Sequence, residues 1–531
     1  MPLQELKVKL KIKKIVLKSL LAITLCVLSI SQAHGSKVQL EYKESMVMAK
    51  YDEQYRPQFH FTPKKNWMND PNGLIYLDGE YHLFYQHNPF GIMWGHMSWG
   101  HAVSKDMLHW EELPVAIPEG EDEGIFSGSA IYDIDNTSGL GSKENPPLVA
   151  IYTSNSYAKK IQSQSIAYSI DKGRTFIKFS KNPVLDLKLA SFRDPKVFWD
   201  SERSNWVMVV VKASEKKVAI FTSPNLISWT HRSDFGPLAA QGGDWECPDL
   251  VQLAVDGDKA KKSWVMIVSL SPGGFEGGSG TQYFVGNFDG KSFTPSQNYE
   301  KPQWLDYGKD NYAGVTFSNM PDSRTVLIGW MNSWQYAGNL PKTDWTGAMT
   351  IPRELSLINI KDRLSLISNP IQELKSLYVK KTFSEKSIKV KGTKNLKGIY
   401  GRELDITMTI IPNKTGKSGI NVLSGKKEFT QIGYDSNSGE IFLNRGTSSL
   451  SIAIAELLGI QKVYVGKQKE ITLRIVVDRS SVEVFGQKGQ YVITDIVFPD
   501  SKKSDGISLF SDDKEVTIKN LTINKVGSIW R

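Results

Sequence analysis

The sequence predicts an all-β protein: a five-bladed β-propeller followed by a C-terminal β-sandwich. Three observations lead there. Short alternating or apolar runs, such as Leu74 to Tyr76, Tyr81 to Tyr85, Leu148 to Thr153, Trp206 to Val211 and Trp264 to Leu270, are separated by Gly, Asp, Asn and Pro turns. A strand, turn and aromatic signature recurs at long intervals. Beyond about residue 356 Trp thins out while Thr, Val, Ile and Lys increase. Amphipathic helical periodicity is missing from the first two-thirds.

At 531 residues the chain is too long for one ordinary core. It opens on a leader. Lys7, Lys9, Lys11, Lys13, Lys14 and Lys18 precede the apolar run Leu20 to Ile30, and Ser31-Gln32-Ala33 offers small residues for cleavage. The run is too short for a membrane span. Residues 1–33 therefore read as a signal peptide, and the mature protein is expected to be secreted with no membrane anchor. The leader carries much of the formal charge of +9, so the basic balance does not argue for nucleic acid as a partner. Residues 34–56 form an extension. Cys26 lies in the leader, which leaves Cys247 as a single thiol; a chain this large can build its core without disulfides. The eight His fall in no His-x-x-x-His pattern and no paired Cys exists, so no metal and no cofactor are expected.

Residues 57–355 hold the repeat. Ala102-Val103-Ser104 leads through a polar turn to Trp110, Ala167-Tyr168-Ser169 to Phe176, Phe221-Thr222-Ser223 to Trp229, and Phe284-Val285-Gly286 to Phe293. Successive starts lie 65, 54 and 63 residues apart, enough for a four-stranded sheet plus loops, and about five such units fit. A connecting segment is expected over 356–377, with a short helix at Ile371 to Leu377. From 378 to 531, runs such as Glu403 to Ile411, Glu470 to Val477 and Ser481 to Phe485 alternate as in a β-sandwich. Packing against the propeller is its expected role, with sugar binding the alternative.

Three acidic motifs carry the chemistry: Trp67-Met68-Asn69-Asp70-Pro71-Asn72-Gly73, Arg193-Asp194-Pro195 and Trp245-Glu246-Cys247-Pro248-Asp249. Singly they are weak. Asp-Pro-Asn-Gly is a turn, Arg-Asp-Pro a loop or strand start, and Cys247 a small buried residue. The repeat changes this, because Asp70, Asp194 and Glu246 precede the markers Ser104, Ser223 and Gly286 by similar distances, early in each unit. Phe126-Ser127-Gly128-Ser129 and Asn311-Tyr312-Ala313-Gly314 fall at comparable places. Five such segments would surround one axial cavity and bring the acids together. Two carboxylates facing a reacting carbon are the minimum equipment for breaking a glycosidic bond, and a third can steady a cationic transition state. Carbohydrate hydrolysis is the expectation.

With the motifs placed, the chain resembles glycoside hydrolase family 32, the invertase, inulinase and levanase family. The resemblance runs from His60 to the end. It rests on His60-Phe61-Thr62-Pro63, the Trp67 to Gly73 segment, Tyr85-Gln86-His87-Asn88-Pro89, Phe126-Ser127-Gly128, Arg193-Asp194-Pro195, Trp245-Glu246-Cys247-Pro248 and Val476 to Phe485, in order. It implies a five-bladed propeller and a sandwich, in agreement with the repeat. It also implies double displacement with retention. Asp70 would be the nucleophile at the fructosyl C2, Glu246 the acid and then the base, and Asp194 the transition-state stabiliser. A nucleophile must be ionised while the acid holds its proton, so their pKa values must be pushed apart. For substrate binding the resemblance offers Asn69, Gln86, Trp94, Phe126, Ser127, Arg193, Asp310, Tyr312 and Trp330, with Trp334 competing with Trp330 for the site.

The Trp94 to His101 stretch and the Gly-rich loop Ser271 to Tyr283 look more like exo-acting levanases and inulinases than dedicated invertases. The expected partner is a fructan or sucrose substrate, with terminal β-D-fructose released. A sucrose-specific invertase or a fructosyltransferase of the same fold is the nearest rival. A non-catalytic fructan-binding protein is the rival of another class, disfavoured because a binder does not need the full set of acids.

Overall fold

The computed structural model describes residues 51–530 except 342, 450, 451, 453 and 501. The expected signal peptide (1–33) and most of the 34–56 extension lie outside the described residues. Helix among the described residues is confined to short 3-10 turns. The first sheet is an antiparallel meander of β1 (Asn66–Leu77), β2 (Glu80–Asn88), β3 (Ser98–Ser104) and β4 (Trp110–Ile117). The second holds β5 (Gly124–Tyr132), β6 (Leu148–Ser156), β7 (Ile161–Ser169) and β8 (Ile177–Lys178), with β9 (Leu185–Leu189) returning to β7. The third runs β10 (Phe192–Asp200), β11 (Asn205–Lys212), β12 (Lys217–Ser223) and β13 (Thr230–Phe235). The fourth runs β14 (Asp244–Val255), β15 (Asp258–Ser271), β16 (Gly280–Phe288) and β17 (Phe293–Pro295). A fifth unit contains β18 (Tyr312–Thr316) and β19 (Thr325–Trp330). From it β20 (Trp345–Thr346) crosses to pair with the start of β1, and β21 (Arg353–Ile360) and β22 (Arg363–Pro370) complete it. This unit joins the fourth sheet through one pair, Val255 with Leu357.

The first strands form a ring. β1 packs on β5, β5 on β10, β10 on β14, β14 on β18, and β18 on β1, so the circle closes after five strands. Strands behind the ring are buried on both faces, which explains their continuous apolar runs. On β11, Val207, Val209 and Val211 enter one inter-sheet core while Met208 and Val210 enter the next. The sequence signature marks the passage from third to fourth strand in the first four units. Asp106, Asp171, Asn225 and Asp289 each fold the turn by accepting backbone N–H groups two to four residues on.

The connecting segment expected over 356–377 is a correction. Most of it is strand: β21 and β22 form a hairpin in which Leu355, Leu357 and Leu366 are buried. Lys361 and Asp362 turn it with φ of 51° and 62°, the left-handed pair of a tight hairpin. A 3-10 turn at Gln372–Leu377 occupies the place of the expected helix and buries Leu374 and Leu377.

The C-terminal region contains β23 (Tyr378–Tyr400), β24 (Leu404–Ile411), β25 (Lys417–Ser424), β26 (Thr430–Asp435), β27 (Glu440–Asn444), β28 (Ile460–Tyr464), β29 (Ile471–Asp478), β30 (Ser481–Gly486), β31 (Tyr491–Ile496) and β32 (Gly506–Val526). The long β32 serves two layers, pairing with β25 near its start and with β24 near its end. The sheet folds over a core of Ile406, Met408, Ile420, Val422, Ile475 and Val484. Its contact with the propeller is both apolar and charged. Phe485 and Val492 join the core of Phe59, Phe61 and Trp67. His60 sits between Asp478 and Glu483 at 2.8 and 2.7 Å, and Arg353 pairs with Asp306 at 2.9 Å and with Glu483.

Candidate active site

The ring strands break register at matching points. A bulge falls between Met68 and Pro71 in β1, Phe126 and Gly128 in β5, Arg193 and Lys196 in β10, Glu246 and Asp249 in β14, and Tyr312 and Val315 in β18. Bulges turn side chains off the regular alternation of a strand. Pro71, Pro195 and Pro248 suit them, because a bulged position need not donate a ladder hydrogen bond. Asp194, Cys247 and Ala313 adopt φ of 64°, 45° and 54° there, a backbone that residues with a Cβ avoid. The five bulges aim Asp70, Ser127, Asp194, Glu246 and Tyr312 into one place.

Asp70 has a donor on each oxygen. Asn69 donates to Oδ1 at 3.0 Å, and Ser127 donates to Oδ2 at 2.6 Å. Trp67 Nε1 donates to Asn69 Oδ1 at 2.8 Å, which fixes the orientation of that amide. The Cys247 sulfur lies 3.5 Å from Asp70 Oδ2 and 3.7 Å from Asp194 Oδ2, so the two aspartates meet across one atom. Asp194 Oδ2 also accepts the Cys247 N–H at 2.9 Å, while its own N–H donates to Thr153 Oγ1 at 2.9 Å. Glu246 is clamped from two sides. Arg193 donates to Oε1 through Nε at 3.1 Å and Nη2 at 2.9 Å, and the Tyr312 hydroxyl donates to Oε2.

These acids crowd one another, Asp194 buried and Asp70 and Glu246 partly so. Burial, reinforced by the charge of Glu246, raises the Asp70 carboxyl, against the pull of the Ser127, Asn69 and Cys247 hydrogen bonds. Burial pushes Asp194 up as well; Arg193 opposes this, while Glu246 and Asp70 add to it. Burial likewise holds the Tyr312 hydroxyl and the Cys247 thiol protonated, well above their ordinary values. The arrangement is a cluster of three carboxylates with one guanidinium beside it. It can attack an electrophilic carbon, protonate a departing oxygen and stabilise positive charge between the two.

Most of the residues expected from sequence assemble here. Gln86 is buried and donates to Asn72 Oδ1 at 3.3 Å and to the Ile125 carbonyl at 3.0 Å, and Asn72 in turn accepts from Gly128 N–H at 3.2 Å. Trp94 stands at the rim, 49% exposed, edge-on to Phe126 at 6.0 Å. Beside Trp94 opens a hollow of about 530 Å³ lined by Asn88, Gly95, His96, Glu119 and Tyr157. Two residues do not join. Asp310 is fully buried at the sandwich, where Arg445 (2.8 Å) and the Ile496 N–H (2.9 Å) bind one oxygen and Tyr336 (2.6 Å) the other. Trp330 is 0% exposed behind Trp67, whereas Trp334, stacked on Trp67 at 6.0 Å, is partly exposed. Sequence reasoning assigned no role in the site to Asp244, Gln162 or Thr153. Asp244 had a signal: two residues before Glu246 on a strand, it shares that residue's face.

Among the described residues no group of three or more His, Cys, Asp or Glu could hold a metal ion, and no helix is long and apolar enough to cross a membrane. Comparison with known proteins gives the family. The N-terminal domain of glycosyl hydrolases family 32 matches residues 60–370, and the family's C-terminal domain matches residues 373–525. A levanase from Bacillus subtilis (strain 168) is 45% identical over 493 residues, covering 90% of this chain and 72% of the relative. An extracellular exo-inulinase from Aspergillus awamori is 42% identical over 492 residues, covering 85% of this chain and 91% of that protein. The solved exo-inulinase of the same organism superposes with a TM-score of 0.85 at 39% identity, covering 91% of this chain and 100% of that one. A fructofuranosidase from Schwanniomyces occidentalis complexed with fructosylnystose gives 0.83 at 33% identity, covering 90% and 99%. The chain belongs to glycosyl hydrolases family 32, and is a glycosidase built as a β-propeller followed by a β-sandwich.

Proposed function

We propose that this glycosidase is exported and releases terminal β-D-fructose from fructans and from sucrose, with retention through a covalent fructosyl-enzyme. One observation supports the mechanism: Asp70, Asp194 and Glu246, from three different strands, converge on one site with Arg193 and Tyr312 holding the glutamate. In this reading Asp70 attacks the anomeric C2 as Glu246 gives its proton to the departing oxygen. Glu246 then takes a proton from water, which displaces Asp70. Asp194 pairs with sugar hydroxyls and steadies positive charge at the transition state. Trp94, Phe126 and Trp334 offer apolar surface to the fructosyl ring, and Asn69, Gln86 and Ser127 orient the groups around it. The hollow beside Trp94 gives the departing chain room. The levanase and exo-inulinase relatives support fructans as substrates, and the basic, then apolar leader supports export.

The test is chromatography of products from levan, inulin and sucrose over time. Free fructose from the start of digestion, with no oligosaccharide ladder, is the expected result. Growing chains from sucrose would favour transfer to a sugar acceptor over hydrolysis. No fructose from any of the three would overturn the reading.

A further inference from the structure

Arg193 hydrogen-bonds two carboxylates and lies 4.0 Å from a third, that of Asp194. Its Nη2 donates at 2.9 Å both to Asp244 Oδ2 and to Glu246 Oε1, while Nη1 reaches Gln162 Oε1 at 3.4 Å. Asp244 and Glu246 stand two residues apart on β14 and so project from one face. The Asp244 side chain is 39% exposed and that of Glu246 is 22% exposed, so the pair runs inward from the rim. We propose that Asp244 is a positioning residue for proton transfer: it holds Arg193 between two anions, so that the guanidinium orients Glu246 without committing its whole charge to it.

The physical case rests on what surrounds Glu246. Asp70 faces it from β1, Asp194 and Arg193 from β10, Asp244 and Cys247 from β14, and Tyr312 from β18. Arg193 is the cation in that set. A guanidinium that binds a single carboxylate through two N–H groups strongly favours its ionised form. An acid that must carry a proton to the glycosidic oxygen is poorly served by such a clamp. A second carboxylate on the same nitrogen spreads the attraction over two anions and leaves the clamp's geometry in place. This inference deepens the proposed function and rests on the reading of Glu246 as the acid.

The experiment compares Asp244→Asn, Asp244→Glu and Glu246→Gln on two substrates across pH 4–9. Sucrose needs a protonated leaving group; an activated p-nitrophenyl β-fructofuranoside does not. Asp244→Asn should lower kcat on sucrose about 10-fold with KM little changed, and stay within about 2-fold of the parent on the aryl fructoside. The sign of the pH effect follows from charge. With Asp244 neutralised, the charge around the proton transfer is more positive, so the alkaline limb of kcat/KM on sucrose moves to lower pH. Asp244→Glu, which keeps the charge, should bring the limb back towards the parent. Equal losses on both substrates, or an alkaline limb unmoved in Asp244→Asn, would overturn the proposal while leaving the acid assignment intact. If Glu246→Gln loses kcat/KM, which reports only the steps up to departure of the leaving group, equally on both substrates, the acid reading fails and this proposal falls with it.

Discussion

Ser127 and Asp70 show how much a single hydrogen bond can carry in this site. The bond is 2.6 Å long and charge-assisted, and it opposes the burial that raises the Asp70 carboxyl. Ser127→Ala removes it. Bonds to charged groups are worth about 1.5–3 kcal/mol, so kcat should fall about 10- to 100-fold. Because burial then acts with less opposition, Asp70 stays protonated to higher pH, and the acidic limb of the rate profile should move towards neutrality. An unmoved limb would separate Ser127 from the nucleophile. Asp70→Asn, nearly isosteric, should keep the fold and lose about 10⁴-fold or more in turnover, measured on sucrose. The three acids were legible because each lies within two residues of a Pro in a strand that otherwise reads as buried. Asp310 was not, because its partner Arg445 lies 135 residues further along and leaves no local mark. Trp330 and Trp334 carry the same local signal, and burial alone separates them.

Each ring strand spends its bulge on one chemical residue, and the bulge makes its own demands on sequence. At Gly128 in β5, an added Cβ would sit 2.1 Å from the Ile151 carbonyl oxygen and 2.7 Å from the Tyr152 Cα, both backbone atoms of β6. Neither can yield without moving that strand. Gly128→Ala should therefore destabilise the fold by about 1–3 kcal/mol. It should also lower kcat, because Ser127 beside it loses its aim at Asp70. Thermal unfolding and initial rates check both halves; a variant with parental stability and reduced kcat would confine the effect to the site. The repeat was visible in sequence because its turns reuse one device, an Asp or Asn folding the chain before an aromatic, with a Ser ahead of it in the first three units. The hairpin of β21 and β22 was missed for a physical reason. The outer strands of a unit meet water on one side, so their Ser, Asn, Asp and Lys look like those of a linker, and the buried alternation shrinks to Leu355, Leu357 and Leu366.

Between propeller and sandwich lies a buried line of charge: Arg445 with Asp310, Arg353 with Asp306 and Glu483, and His60 with Glu483 and Asp478. The run from Val476 to Phe485 marked the sandwich in the sequence, but nothing local shows that Asp478 and Glu483 meet a histidine more than four hundred residues earlier. That contact makes stability depend on pH. Burial alone would favour neutral His60; the hydrogen bonds and charges of Asp478 and Glu483 outweigh it and raise the imidazole to about 9. A histidine raised above its unfolded value of 6.5 contributes stability that is complete below 6.5 and is lost as pH rises through 9. The size of the shift corresponds to about 3 kcal/mol. Glu483, held at about 2 mainly by Arg353 and His60 against burial, loses its contribution as pH falls from 4.5 through 2, far outside that window. Thermal unfolding of the parent should therefore show a midpoint that declines between pH 6.5 and 9.5. His60→Gln, which keeps a polar side chain but cannot carry the charge, should unfold at lower temperature at pH 6 and show a flatter profile across the same window. If parent and variant decline in parallel, the proton lies elsewhere. The two domains would then be held by Arg353 and Arg445, with His60 a neutral hydrogen-bonding bridge.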